Sequence, residues 1–290
     1  MAFRTILIQN RCKLEYSLNY MICRKGNEEI KILIDEIKLL IIDSLQVSIT
    51  TSLISELIKK KVKILFIDDK HNPLGEITPY QNNYYSYKKI MEQFNFSSSA
   101  KQYLWRCIIE RKIANQSLNL HRLNLIDGYN KLEEYRHNVL NDDASNREGH
   151  AAKVYFNSLF GKGFNRDLNN EINMFLNYGY SIILSSINRE IKSFGYLTEL
   201  GIHHKGESNP FNLSCDLMEP IRPLVDSYII LNKVNKDNFK KVFTKMLSEY
   251  VIYNDKDIFL DNAIHLYVED MLNYLKTGDI NKIKFIEYEL

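Results

Sequence analysis

Residues 63–113, KILFIDDKHNPLGEITPYQNNYYSYKKIMEQFNFSSSAKQYLWRCIIERKI, decide the fold. Lys63–Asp68 reads as a buried strand, Asp69-Lys70-His71-Asn72-Pro73 as a turn and Leu74–Thr78 as a second short strand. After Pro79 the texture changes. Residues 80–100 are polar and aromatic and read as a linker leading into helix. From Lys101 the period is helical, with Trp105, Ile108, Ile109, Lys112 and Ile113 along one face and Leu118, Leu125 and Leu132 suggesting another. Proline is absent from 80 to 209, which suits long helices.

Upstream of this junction the chain reads as strands at Phe3–Ile8, Arg11–Glu15, Tyr20–Arg24, Glu28–Ile34 and Ile37–Ile42, rich in β-branched and aromatic residues. One helix is expected there, since Ile49, Leu53, Ile54, Leu57 and Ile58 fall at helical spacing behind a Thr50 or Thr51 cap. The class is therefore α+β: a β-rich part over about 1–90, then a helical part over about 91–290.

Composition narrows the function. With 290 residues, 45% hydrophobic and 26% charged, the chain has the makings of a packed core rather than a disordered one. No apolar run approaches the ~20 residues of a membrane helix, so neither anchor nor signal peptide is expected. Cys12, Cys23, Cys107 and Cys215 are widely spaced with no CxxC, which argues against a zinc ribbon or disulfide scaffold and suits a reducing, cytoplasmic setting. The first ninety residues hold 14 Lys and Arg against 10 Asp and Glu; the remainder holds 24 against 26. Local basic clusters such as Lys59, Lys60, Lys61 and Lys63 could meet phosphates, although solvated element ends explain them as well.

Three segments carry groups suited to chemistry. In Asn146-Arg147-Glu148-Gly149-His150-Ala151-Ala152, the spacing Ser145-x-x-Glu148 is a capping box, so Glu148 is either a cap or a functional acid. Gly149 costs helix stability without capping benefit and permits close approach of a backbone or ligand. In Leu200-Gly201-Ile202-His203-His204-Lys205-Gly206, after a helix over about Leu168–Phe194, two adjacent histidines cannot point the same way. At most one is a ligand, and a hydrogen-bonded structural role is the alternative. In the third segment Asp216 and Glu219 stand three apart on one helical face, with Pro220 and Pro223 favouring a bend. The alternative there is a kinked surface helix with solvated acids. Together the segments supply carboxylates and one imidazole, the donor set of a hard divalent cation, magnesium or manganese.

Glu148-Gly149-x-x-Ala152-x-x-Tyr155-Phe156, Leu176-Asn177-Tyr178-Gly179-Tyr180, and Gly201-Ile202-x-His204 followed by Asp216-Leu217-Met218-Glu219-Pro220-x-Arg222-Pro223 appear in that order. On these motifs the chain resembles the CRISPR-associated adaptation integrase, the universal Cas endonuclease that inserts new spacers, most closely its type II branch. The resemblance covers essentially the whole chain. It implies an N-terminal β-sandwich-like domain joined to an all-helical catalytic domain. It also implies Mg2+ or Mn2+ held by Glu148, His204 and Glu219, with Asp216 beside them in a supporting role. Many relatives carry aspartate where this chain has Glu219, so the longer arm shifts the carboxylate outward.

The implied reaction is attack of a DNA 3′-hydroxyl on a phosphodiester, joining new spacer DNA to a CRISPR array. His204 either ligates the metal or donates a hydrogen bond to the leaving oxygen. Lys153, Tyr155, Lys205 and Arg222 are candidates to contact DNA, with packed core the alternative for Tyr155. The implied partners are double-stranded DNA (prespacer and repeat array), a second copy in a homodimer, and a small adaptation protein in a higher-order complex, with no membrane. Two other readings use the same residues: a stand-alone nuclease on branched DNA, and a non-catalytic DNA-binding scaffold.

Overall fold

The computed structural model describes residues 4–69, 73–77 and 86–288. The core of the expected turn at 70–72 and the first part of the expected linker, 80–85, lie outside the described residues. The first part of the chain runs β1 (Arg4–Ile8), β2 (Cys12–Ser17), β3 (Tyr20–Lys25), β4 (Glu28–Leu33), β5 (Ile37–Ile42), β6 (Val47–Ile49), α1 (Thr51–Lys59), β7 (Lys63–Ile67) and β8 (Pro73–Ile77). Then come α2 (Ser86–Phe94), α3 (Ser98–Arg122), α4 (Ile126–Arg136), α5 (Arg147–Phe160), α6 (Glu171–Ser193), α7 (Asn212–Met218), α8 (Arg222–Leu231) and α9 (Phe239–Met246). The strands β9 (Tyr250–Tyr253) and β10 (Lys256–Phe259) precede α10 (Leu260–Thr277).

The strands form two four-stranded sheets, ordered β1-β5-β7-β8 and β4-β3-β2-β6, and a separate β9–β10 ribbon. Alternation along β5 and β7 shows how the sheets pack. Leu40, Ile42 and Ile64 join Leu14 and Met21 of the other sheet and Leu53 and Leu57 of α1 in one core. Leu39, Ile41, Leu65 and Ile67, on the opposite face, join the core of the helices. A strand buried on both faces reads as a continuous apolar run, which is what IKLLII and KILFI are. Thr50 is the cap of α1, its hydroxyl accepting from the Leu53 N–H at 3.4 Å.

The α+β class holds, with strands first and helices after. Among the described residues the second part departs from an all-helical design in the β9–β10 ribbon, whose antiparallel strands pair Tyr253 with Lys256 across Asn254-Asp255, and in a bridge from Ile252 to Glu287. The expected linker is replaced in its described part by α2. Gln93 explains why: its buried amide donates to the carbonyls of Leu197 (2.9 Å) and Leu200 (3.1 Å) and accepts from the Leu197 N–H (2.9 Å). The face expected through Leu118, Leu125 and Leu132 is interrupted, because the chain breaks at Asn124 in a left-handed conformation before α4.

The central helix is α3, packed by α4, α5, α7, α8 and α10. It buries polar side chains as well as Trp105 and Ile109. Asn115 and Asn119 donate to the carbonyls of Pro220 and Pro223, both at 2.7 Å. Those bonds tie the α7–α8 bend to α3, and the prolines keep that bend from becoming one straight helix.

Candidate active site

Lys112 projects from α3 into the space between α5 and the α7–α8 bend. Its ammonium lies 2.6 Å from Glu148 Oε1 and 2.6 Å from Glu219 Oε2. The side chain is 9% exposed, Glu148 27% and Glu219 5%. Ions removed from water in this way are held only by opposite charge.

Glu148 reaches this place because it does not cap its helix. The cap of α5 is Asn146, whose side chain accepts from the Gly149 N–H. The carboxylate of Asp143 accepts from the N–H groups of Arg147 (2.8 Å) and Glu148 (3.0 Å). Ser145 donates its hydroxyl to the Asn138 carbonyl instead. The Ser145–Glu148 capping box is therefore overturned. Gly149 serves the cap: a Cβ there would stand 2.8 Å from Asn146 Oδ1.

Glu219 opens a single 3-10 turn, Glu219–Ile221, at the bend. Arg222 Nε donates to its Oε1 at 2.9 Å. Burial raises the proton affinity of Glu219, but Arg222 and then Lys112 outweigh it and hold the carboxyl well below its ordinary range. The reading of solvated acids on a surface helix is thus overturned for Glu219, and for Asp216, which is fully buried.

Asp216 does a different job. Its Oδ2 accepts from the N–H groups of Ile202 (2.6 Å) and His203 (3.1 Å), and its Oδ1 from the N–H of His204 (3.1 Å). Oδ1 also lies 2.6 Å from His204 Nδ1. A carboxylate only accepts, so Nδ1 carries the proton in this pair. Nε2 is the ring nitrogen left for other chemistry, in the manner of carboxylate–histidine pairs behind metals. The loop approaches this carboxylate so closely that a Cβ on Gly201 would sit 2.8 Å from Asp216 Oδ2. The hydrogen bond to Asp216 raises the proton affinity of His204 against the effect of burial, helped by the charges of Asp216, Glu219 and Glu148. His203 instead stacks on Trp105, with rings 4.2 Å apart and nearly parallel, and places Nδ1 3.0 Å from Asp142.

The three expected ligands converge in part. Glu148 and Glu219 meet at Lys112, and His204 lies where both charges raise its proton affinity. Among the described residues no three His, Cys, Asp or Glu side chains stand close enough to hold an ion as placed. The donor set nonetheless fits a hard cation, since a cation already bridges the two carboxylates and the buried Glu219 Oε2 faces that cation. Lys112 was legible only as a lysine within the apolar face of α3.

Of the DNA-contact candidates, Lys153 and Lys205 are exposed. Lys205 lines an open cleft of about 520 Å³ with His204 and Lys101. Tyr155 is fully buried and its hydroxyl accepts from Asn119 at 2.9 Å, so the core alternative is the correct one. Arg222 is committed inward, bonded to Glu219 with its guanidinium 4.7 Å from the Tyr180 ring centre.

Fold and site together describe an α+β chain whose helical part encloses an acid-and-imidazole centre. The family model described as CRISPR associated protein Cas1 matches residues 6–258, and the chain belongs to that family. It is 34% identical over 230 residues to the CRISPR-associated endonuclease Cas1 of Neisseria meningitidis serogroup C, covering 79% of this chain and 76% of the relative. Its fold is similar to that of a casposase bound to integration product, with TM-score 0.78, 21% identity, and coverage of 99% and 95% of the two chains. It is also similar to part of a Cas6-RT-Cas1–Cas2 complex, with TM-score 0.76 and 18% identity over 99% of this chain and 36% of that one.

Proposed function

We propose that the chain is a divalent-metal-dependent DNA integrase and endonuclease that inserts new spacer DNA into a CRISPR array. The observation that carries this reading is the pairing of Glu148 and Glu219 around one buried cation, with His204 set beside them by Asp216. Glu148, Glu219 and His204 through Nε2 would hold Mg2+ or Mn2+. Such an ion stabilises charge on phosphoryl oxygens and favours deprotonation of an attacking hydroxyl.

The chain's own groups do the rest. Asp216 fixes the imidazole and ties down the 201–204 loop. Arg222 keeps Glu219 ionised inside the protein. Lys101 and Lys205, on the cleft beside His204, offer charge to a DNA backbone. The new bond joins a 3′-hydroxyl oxygen to phosphorus, and the opposite P–O bond breaks with release of a strand end. With water in place of the hydroxyl, the same centre hydrolyses DNA.

We place the domain boundary near residue 90, with 1–90 serving dimerisation and 91–290 catalysis in the cytoplasm. No helix among the described residues is long and apolar enough to cross a membrane. The casposase bound to integration product and the Cas1–Cas2 complex among its fold neighbours support DNA and a partner protein, to which the proposal adds that the DNA is double-stranded, the partner a small adaptation protein and the chain a homodimer. A scaffold role is less well supported, because Glu148 is not spent on capping. The test is strand transfer of a duplex with free 3′-hydroxyls into a repeat-bearing plasmid. Products are expected with Mn2+ and none with EDTA; equal yields under both conditions would overturn the reading.

A further inference from the structure

We infer that Lys112 is a built-in counter-cation of this centre, holding the place between Glu148 and Glu219 in the metal-free protein and giving it up when a divalent ion enters. The inference rests on the metal-site reading above and adds to it how loading is controlled.

The geometry carries it. The Lys112 ammonium is 2.6 Å from one oxygen of each carboxylate, the two acids that would hold the ion. Magnesium binds such oxygens at ~2.0–2.1 Å, so ion and ammonium cannot both stand in the space between the two carboxylates. In a buried setting their mutual repulsion is poorly screened. The charges point the same way. Glu148, Asp216 and Glu219 are already faced by Lys112, by Arg222 on the far oxygen of Glu219, and by His204 on Asp216. Adding two positive charges without moving any would leave the centre cationic.

Lys112 is the group able to move. Arg222 is held through Nε and packed over Tyr180, whereas lysine carries its charge on a flexible four-carbon stem. A displaced ammonium needs a new anion, and a DNA phosphate arriving at the centre supplies one. Lys112 therefore weakens metal binding in the absence of DNA and couples tight loading to the arrival of phosphate.

The test uses Mn2+ alone, added to the DNA-free full chain and followed by calorimetry or by the loss of the free-ion paramagnetic resonance signal. Lys112→Met keeps the length and removes the charge. It is expected to bind Mn2+ ~10-fold tighter than wild type or better, while Lys112→Arg gains nothing. Lys112→Met binding equal to or weaker than wild type overturns the inference. If neither protein binds Mn2+, the metal-site reading falls with it; equal, measurable binding removes only the role of Lys112. Should Lys112→Met fail to fold, amine acylation of wild type with peptide mass spectrometry decides. Saturating Mn2+ is expected to raise labelling of Lys112, and unchanged labelling overturns the proposal.

Discussion

Two buried charge clusters in this molecule look alike and differ in how completely they are satisfied. One is the Glu148–Lys112–Glu219–Arg222 centre. The other joins α6, α10 and β5. Arg189 pairs with Glu190 and Asp261, both at 2.6 Å, and His265 Nδ1 lies 2.6 Å from Glu190 Oε2. Lys38 closes the set on the other oxygen of Asp261. In this second cluster all four carboxylate oxygens meet a cationic group, with Arg189 serving one oxygen of each acid. In the first, Lys112 serves Glu148 Oε1 and Glu219 Oε2 and Arg222 serves Glu219 Oε1, while among the described residues the other oxygen of Glu148 meets no cation. A closed set of pairs holds elements together, here the first sheet against the helices. A set that leaves a carboxylate oxygen without a cation has room for a ligand.

The comparison breaks first if Glu148 proves dispensable. Glu148→Gln is expected to retain the fold, because Asn146 and Asp143 cap α5. Strand transfer should fall by on the order of 10³-fold, as when several kcal/mol of transition-state stabilisation are lost. Rates measured beside circular dichroism check both halves. Next in size, Arg189→Met should remove about 3 kcal/mol of stability by leaving buried carboxylates short of a partner. Activity per folded molecule should stay near wild type, as read by urea unfolding and strand transfer on the same preparation.

The smallest effect is in pH. Burial works against ionisation of Glu190, but His265 and Arg189 outweigh it and lower its proton affinity from the ordinary 4.5 to about 2. A lowered carboxyl contributes stability that is full above 4.5 and lost as pH falls toward 2. His265 is raised above 6.5, chiefly by its bond to Glu190. Its share is present below 6.5 and lost as pH rises through the folded value. The ring is 46% exposed, so solvent screening keeps that share below ~1 kcal/mol. Thermal melts of wild type and His265→Gln should therefore differ slightly at pH 5.5 and converge well above neutrality. A constant difference across that range would assign His265 to packing.

Much of the fold was legible because its signals are local. Alternation and β-branched runs mark β1 to β5 and β7, and Thr50 marks the start of α1. The short β6 was not, since its three residues owe their strand geometry to parallel pairing with distant β2. The β9–β10 ribbon did carry a signal: Asn254-Asp255, which take positive φ, stand between the β-prone runs Tyr250–Tyr253 and Ile258-Phe259. At the site, Glu148, His204, Asp216 and Glu219 stood out as residue types, but their division of labour did not. That Asp216 spends its oxygens on the 201–204 loop depends on a fold-back across fourteen residues. That Lys112 faces two acids 36 and 107 positions away is set only by the packing of α3. Asn146 takes the cap from Ser145 through a left-handed conformation that no spacing rule anticipates.

The most direct test of the division between ligand and support is strand-transfer rate against Mn2+ concentration for Glu219→Ala and Asp216→Asn. Glu219 faces the shared cation, so its loss should leave no activity at any Mn2+ concentration. Asp216 orients His204 from behind, so its variant should need ~10–100-fold more Mn2+ and regain part of its rate. Rescue of Glu219→Ala by high Mn2+, with none for Asp216→Asn, would contradict the assignment of the metal to Glu148, His204 and Glu219.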